Sequence, residues 1–195
     1  MEYIKEVFAH YDRQCIRVYQ AYNPEIAKEA AALQTFGEHF NRNRMTWIKP
    51  SFLWMMYRSG WGTKKNQECI LALDIYQSTF EKLLELAVLT SPDSDGCTGA
   101  QWERAFHETT VYCQWDPDRT INGTPMNRAA IQIGLKGSTL SDVLESGICR
   151  IEDLTPLVRK WNEQRKKGTL NAKQLPVEKQ YPVKDQAVRK RLNMK

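Results

Sequence analysis

Residues 45–61 read MTWIKPSFLWMMYRSGW. Three of the chain's six tryptophans fall here, Trp47, Trp54 and Trp61, together with Phe52, Tyr57 and two cations, Lys49 and Arg58. Pro50 divides the stretch. Before it, RMTWIKP suits a short strand that the proline halts. After it, SFLWMMYRS is apolar nearly all round, the pattern of a buried helical segment of about two turns. Burying an unpaired charge is costly, so the two cations leave two readings. One is a core helix with basic ends. The other is an aromatic cleft that takes a planar anion, such as a nucleotide.

Working outward, CIRVYQAY (15–22) alternates: Ile16, Val18, Gln20 and Tyr22 against Arg17, Tyr19 and Ala21, the period of a strand. Asn23 can cap the Ala-rich helix that follows, with Pro24 in its first turn. ECILALDI (68–75) is a continuous apolar run of strand length, the mark of a central strand. STFEKLLELAV opens with Ser78 and Glu81 in capping-box spacing. Further on, AQWERAFHE reads as a helix, TTVYCQW as a strand ended by a turn at DPDR, AAIQIGL as a strand and STLSDVLESG as a short helix. ICRIEDL reads as another strand, and TPLVRKWNEQRKKG as a helix with Thr155 as cap. The pattern weakens after Gly168. About six strands mix with several short helices without strict alternation. The expectation is a single compact α+β domain over 1–168, with a mixed, largely antiparallel and possibly split sheet. Residues 169–195 are expected to be a basic, partly disordered C-terminal tail.

The charge is unevenly spread. Residues 1–158 carry 16 Lys and Arg against 20 Asp and Glu, whereas residues 159–195 carry 12 against 3. The main domain therefore has no basic surplus to suggest a nucleic-acid face. The tail can attract nucleic acid weakly and without sequence preference, or be simply solvated. No run of about 18 apolar residues and no secretory leader pattern is present, so a cytoplasmic protein without a membrane partner is expected. Five cysteines at irregular spacing read as reduced, mostly buried thiols. His10, His39 and His107 lie far apart with no ligand spacing, so no metal is expected. A nucleophile elbow, a P-loop and a G-x-G-x-x-G are all missing.

What remains is a set of polar residues on strands or strand ends. Arg17, Tyr19 and Gln20 belong to the first long strand, and Thr46, Trp47 and Lys49 to the second. Arg58 and Trp61 follow the buried helix. Gln114, Asp116 and Arg119 bracket the DPDR turn, and Arg128 and Gln132 belong to the strand after it. For Arg17 the open alternatives are a structural ion pair and a two-point fork for phosphate. For Trp47 and Trp61 they are core packing and a stacking platform for a base or nicotinamide ring.

IRVYQAYNPEIA, RMTWIKPSFLWMMYRSGW, QWDPDR, IQIGL and DLTPLVRKWN together resemble domain-of-unknown-function family 4291, over about residues 12–182. More distantly, the order of segments is similar to the ADP-ribosyltransferase superfamily. There a strand of the type VYH leads into a helix, and a second strand leads into a helix packed under the NAD site. A hydrophobic strand ending in an acidic residue comes next. This resemblance implies NAD as cofactor. Arg17 or Gln20 would hold a ribose or phosphate, with Tyr19 between them. Thr46 and Trp47 would line the nicotinamide pocket, and Lys49, Arg58 and Trp61 would complete the cleft. Where the superfamily often carries a catalytic glutamate, this chain offers Gln114 and Asp116. Glutamine can hold a ribose but cannot stabilise the positive charge that develops as nicotinamide leaves. Arg119, Arg128 and Gln132 are the candidate substrate contacts. The implied function is ADP-ribose transfer to a protein or nucleic-acid acceptor, and its alternative is a non-catalytic nucleotide or nucleic-acid binding module.

Overall fold

A computed structural model describes residues 3–92 and 99–194. In chain order its elements are β1 (Phe8–Ala9), β2 (Cys15–Tyr22), α1 (Pro24–Leu33), β3 (Thr46–Ile48), α2 (Phe52–Ser59), β4 (Cys69–Tyr76), α3 (Gln77–Leu86) and β5 (Val88–Leu89). Then come α4 (Ala100–Glu108), β6 (Val111–Arg119), β7 (Pro125–Leu135), α5 (Gly137–Asp142), β8 (Ile148–Asp153), α6 (Thr155–Lys166), β9 (Lys179–Gln180) and α7 (Gln186–Arg191).

The apolar run does become a central strand: β4 lies between β2 and β8, antiparallel to both. A second sheet has the order β3-β7-β6-β5, antiparallel except for the parallel pair β5 and β6. A small third sheet pairs β1 with β9. The α+β class holds, but among the described residues no sheet has about six strands. The larger sheets have three and four strands and meet at one backbone bridge. There Tyr19 N–H donates to Lys49 O at 2.8 Å and Lys49 N–H donates to Tyr19 O at 3.2 Å. Pro50 and the start of α2 follow at once, so β3 leaves the junction after a single bridged pair, and the sheets part there.

Alternation along the strands sorts core from cleft. Ile131, Ile133 and Leu135 of β7, with Val111 and Cys113 of β6 and Ile48 of β3, belong to the main core together with Ile16 and Val18 of β2. Trp47, Gly134, Gln132, Gln114 and Asp116 take the opposite parity, with Trp47 paired to Gly134 and Gln114 to Gln132. A second core under α2 gathers Tyr19, Phe52, Met56, Trp61 and Trp161.

Several local expectations need correction. β6 does not end before DPDR but runs through it to Arg119, with a bulge between Pro117 and Arg119. β5 reaches only Cys113, so β6 is an edge strand where the proline falls. The Ser78 and Glu81 capping box does not form: α3 starts at Gln77 without a side-chain cap, and Glu81 accepts from the Tyr181 hydroxyl at 3.0 Å. Thr155 is not the cap of α6, which is Leu154; its hydroxyl accepts from Ile70 N–H at 3.0 Å. Cys15 and Cys149, read as reduced thiols, are joined in a disulfide. Their separation of 134 residues hides the pairing. The fold brings them together at one end of the three-stranded sheet, beside the bulge where β8 passes Asp74 and Ile75. Cys69 and Cys113 are buried and free. Cys97 lies outside the described residues.

Residues 169–194, expected as a partly disordered tail, are packed against the domain. Tyr181, Val188, Leu192 and Met194 lie in the main core and Leu175 in the second. The tail's charges are in use as well. Arg189 makes a two-point pair with Glu6 at 3.1 and 2.6 Å, and Arg191 donates to the carbonyls of Leu84 and Glu85 at the end of α3.

The tail also anchors α2. Ser51 caps that helix, accepting from Trp54 N–H at 3.2 Å while donating to the buried Asp118 at 2.8 Å. Phe52 N–H donates to Glu178 at 2.6 Å. Burial pushes the Glu178 carboxyl up to about 8, with the charge of Asp118 adding to the effect and the Phe52 N–H and Arg128 opposing it. The folded form thus holds this proton more tightly than the unfolded chain. Its stabilising share is fully present below about pH 4.5 and is lost as pH rises through about 8. Glu178→Gln keeps the acceptor and removes the titration. Chemical denaturation across this window should show the wild type losing stability relative to the variant as pH rises. A constant difference would mean that Glu178 is ionised throughout.

Candidate functional site

Where the two sheets part they leave a cleft of about 630 Å³. β2 supplies Gln20 and Tyr22, and the loop before β3 supplies Arg44 and Met45. Thr46, Trp47 and Lys49 come from β3 and its end, Met55 and Arg58 from α2, and Lys65 and Asn66 from the loop after α2. Four cations therefore face one hollow, and no carboxylate lines it. The side chains of Arg44, Arg58 and Lys65 have no ion pair or hydrogen bond among the described residues and are exposed. Such cations have no carboxylate of the cleft wall to answer them and remain available to an anionic ligand.

Local structure explains how they are aimed. Gly60 ends α2 in the left-handed conformation, φ 59°, with its N–H returned to Met56 and Tyr57. That stop places Arg58 in the last turn, where a cation is favoured by the helix dipole. Lys64 turns back to donate to Arg58 O at 2.6 Å, and the loop carries on through Lys65 to the cleft wall. Trp47 can lie along β7 because its partner there is Gly134: a Cβ at Gly134 would stand 3.0 Å from the indole.

Lys49 is buried, and its ammonium donates only to Trp47 O, at 3.3 Å. Burial pulls its pKa down to about 8; Arg58 lowers it further and Asp116 raises it. Thr46 is fixed by Gln20 Nε2, which donates to its hydroxyl at 2.7 Å, and by the Tyr22 hydroxyl at 2.6 Å. Gln20 is itself buried. The floor is a polar constellation that can present hydroxyl, amide and amine to a ligand.

Gln114, Asp116 and Gln132 form a second group on the same face of the four-stranded sheet. Gln114 donates to one Asp116 oxygen at 3.0 Å and Gln132 to the other at 2.6 Å. The charge of Asp116 reaches Lys49, although neither Gln114 nor Asp116 lines the cleft.

The other expected residues go elsewhere. Arg17 is on the three-stranded sheet, opposite Asp74, and donates to both oxygens of that residue at 2.7 and 2.9 Å and to Glu152 at 3.1 Å. Of its two open readings, the structural ion pair is the one found. Tyr19 is fully buried edge-on to Phe52. Trp61 packs on the other side of α2, with the Arg165 guanidinium 5.2 Å above its ring, beside a smaller hollow of about 220 Å³. Arg119 stacks 4.0 Å from the Tyr57 ring centre and donates to Gly123 O at 3.2 Å. Arg128 pairs with the buried Asp118 at 2.8 Å and stands 3.6 Å from Glu178.

Arg44, Lys65, Tyr22 and Gly134 were not singled out from sequence. Arg44 and Lys65 sit in loops, where no period says which way a side chain points. Gly134 did carry a signal, since a glycine inside a strand run marks close approach of another group. One further group, Glu29, Glu38 and His39, brings ligand-type atoms within 4.8 Å of one another. Glu29 there accepts from the backbone N–H of Glu38 and His39, which closes the loop after α1.

Fold and site thus define an α+β protein with an electropositive, indole-walled cleft between two sheets. The sequence pattern of the family described as Domain of unknown function (DUF4291) matches residues 6–181. The chain belongs to that family. No curated protein matches it. Among the described residues no helix is long and apolar enough to cross a membrane.

Proposed function

We propose that the protein binds a nucleotide in the cleft between its two sheets, with NAD as the ligand and ADP-ribose transfer to a protein or nucleic acid as the reaction. The observation that carries the binding is the convergence of Lys49, Arg44, Arg58 and Lys65 on one hollow lined by Trp47 and by no carboxylate. Arg44, Arg58 and Lys65 would hold the pyrophosphate, since guanidinium and ammonium groups without partners lose little on meeting phosphate oxygens. Trp47 would stack on a planar ring, worth about 1–3 kcal/mol. Gln20 and Thr46 would hold ribose hydroxyls. The similarity of segment order to the ADP-ribosyltransferases supports NAD as the nucleotide.

In this reading Asp116 is the group that stabilises the cation left on ribose as nicotinamide departs. Two amides donate to its two oxygens and fix their orientation. The same geometry supports the second reading, a non-catalytic nucleotide-binding module, because Asp116 does not line the cleft as the chain stands. Incubation with nicotinamide-labelled NAD separates the two. Released label that disappears in Asp116→Asn, while NAD still raises the melting temperature of that variant, supports transfer. NAD that stabilises both proteins without releasing label supports the module. If NAD neither stabilises the protein nor turns over, both readings fall.

A nucleic-acid role for the C-terminal residues finds less room than the sequence suggested. Arg189 and Arg191 are committed within the fold, and the Lys179 ammonium stands 4.1 Å from the ring centre of Tyr11.

A further inference from the structure

Lys49 is a buried amine at the wall of an open cleft, and that position is unusual for a lysine. Lysine side chains are almost never buried unless paired. Among the described residues no carboxylate lies within ion-pair distance of this one, and its single hydrogen bond goes to the Trp47 carbonyl. The carboxylate charge that reaches it is that of Asp116, whose two oxygens are already taken by Gln114 and Gln132. From α2, Arg58 faces it with a like charge. Arg44 and Lys65 line the same hollow from the loops on either side. The charge of Asp116 favours a proton on Lys49, and that of Arg58 repels it. Burial acts in the same direction as Arg58, which is why its pKa falls to about 8. An amine of this kind is a nucleophile near neutral pH.

We propose that Lys49 forms an imine with an aldehyde that carries a phosphate, the phosphate resting on Arg44, Arg58 and Lys65. Open-chain sugar phosphates are the class of ligand that fits. The Nζ lone pair attacks the aldehyde carbon, and the carbonyl electron pair moves to oxygen, which takes up a proton. Loss of one water then leaves a carbon–nitrogen double bond, with no change of oxidation state. The proposal shares the anion-holding cleft with the nucleotide reading but requires no nucleotide.

Pyridoxal phosphate is a direct probe, because it joins an aldehyde, a phosphate and a planar ring. The full chain is incubated with it near pH 8 and treated with borohydride, whose hydride fixes the imine as a secondary amine. Peptide mass spectrometry then locates the label. Lys49 is expected to be the main modified lysine. Pyridoxal, which lacks the phosphate, should label it at least about tenfold less, equivalent to about 1.4 kcal/mol of phosphate contact. Lys49→Arg should remove that label alone. Arg58→Gln, with its melting temperature checked, should weaken the phosphate preference. Label spread over exposed lysines with Lys49 untouched would overturn the proposal, as would equal labelling by pyridoxal. Ribose 5-phosphate and ADP-ribose as competitors distinguish a simple sugar phosphate from a nucleotide-linked one. Lys49 labelling that NAD does not suppress would keep this proposal and count against the nucleotide reading. NAD binding without Lys49 labelling would do the reverse.

Discussion

Deletion of residues 175–195 is expected to abolish the cooperative fold. The segment holds six of the chain's basic residues, and by charge alone its loss should alter only surface electrostatics. The packing says otherwise. Tyr181 is 1% exposed and Leu192 fully buried, and Val188, Met194 and Leu175 are nearly so. Each large apolar side chain taken out of water stabilises by about 1.5–3 kcal/mol. Five such losses compare with a total stability of about 5–15 kcal/mol for a typical domain. Deletion also removes Glu178 from the start of α2, the Trp115 Nε1 donation to Leu192 O at 2.8 Å and the pairing of β9 with β1. Far-ultraviolet circular dichroism during heating should show no cooperative transition in the truncated chain. Lys184→Gln with Lys190→Gln, which removes charge from exposed positions of the same segment, should leave the transition within the small range usual for surface changes, about 0.5 kcal/mol per substitution. A truncated chain that melts cooperatively at the wild-type temperature would show that this packing contributes little.

Arg17→Met is expected to cost about 3 kcal/mol of stability and to leave ligand binding in the cleft unchanged. The guanidinium answers two carboxylates at once, and its side chain and that of Asp74 are 16% and 19% exposed. Removing one member of a largely buried ion pair strands the other charge, at a cost of about 3–5 kcal/mol; partial exposure of Glu152 points to the lower end. Here Asp74 and Glu152 would be left without Arg17, with Arg150 at 3.2 Å from Glu152. Adding Asp74→Asn should recover part of the loss, because it removes the stranded charge. Denaturant titration measures the first effect and calorimetric titration with NAD the second. A variant of wild-type stability that loses NAD binding would return Arg17 to the phosphate-fork role that the sequence left open.

The contrast between Arg17 and Arg58 shows where sequence reading runs out. Both are single arginines beside aromatic or apolar residues. Arg58 has no ion pair among the described residues, and no carboxylate lines the hollow it faces. Arg17 has its charge answered by Asp74, 57 residues away in sequence but directly opposite in the β2 and β4 register. Local signals were legible where neighbours in sequence are also neighbours in space. Asn23 caps α1, accepting from Ile26 N–H at 2.9 Å, and the apolar run of β4 is central. The C-terminal segment carried no such signal. Its buried residues, Leu175, Tyr181, Val188, Leu192 and Met194, have no common period. They are anchors dropped one at a time by a chain that crosses the surface in turns and short elements, so polar composition outweighs them in any window. The candidate site divides in the same way. Thr46, Trp47 and Lys49 could be grouped because they are close in sequence, whereas Gln20 was grouped with Arg17 although strand parity puts the two on opposite faces. Arg44 and Lys65 needed the loops, and Asp116, named from sequence, needed the strand pairing to show its two amide partners, Gln114 and Gln132.

The claim on which the function rests is that four cations of the cleft act together on one anion. Calorimetric titration of the full chain with NAD and with ADP-ribose, at low and at raised salt, tests it most directly. One site per chain is expected, with affinity that falls as salt screens the cations. The double variant Arg58→Gln with Lys65→Gln should bind at least about tenfold more weakly, a loss of about 1.4 kcal/mol, while Lys184→Gln binds as the wild type does. Binding that is undiminished in the double variant, or no binding of either ligand to the folded wild type, would contradict it.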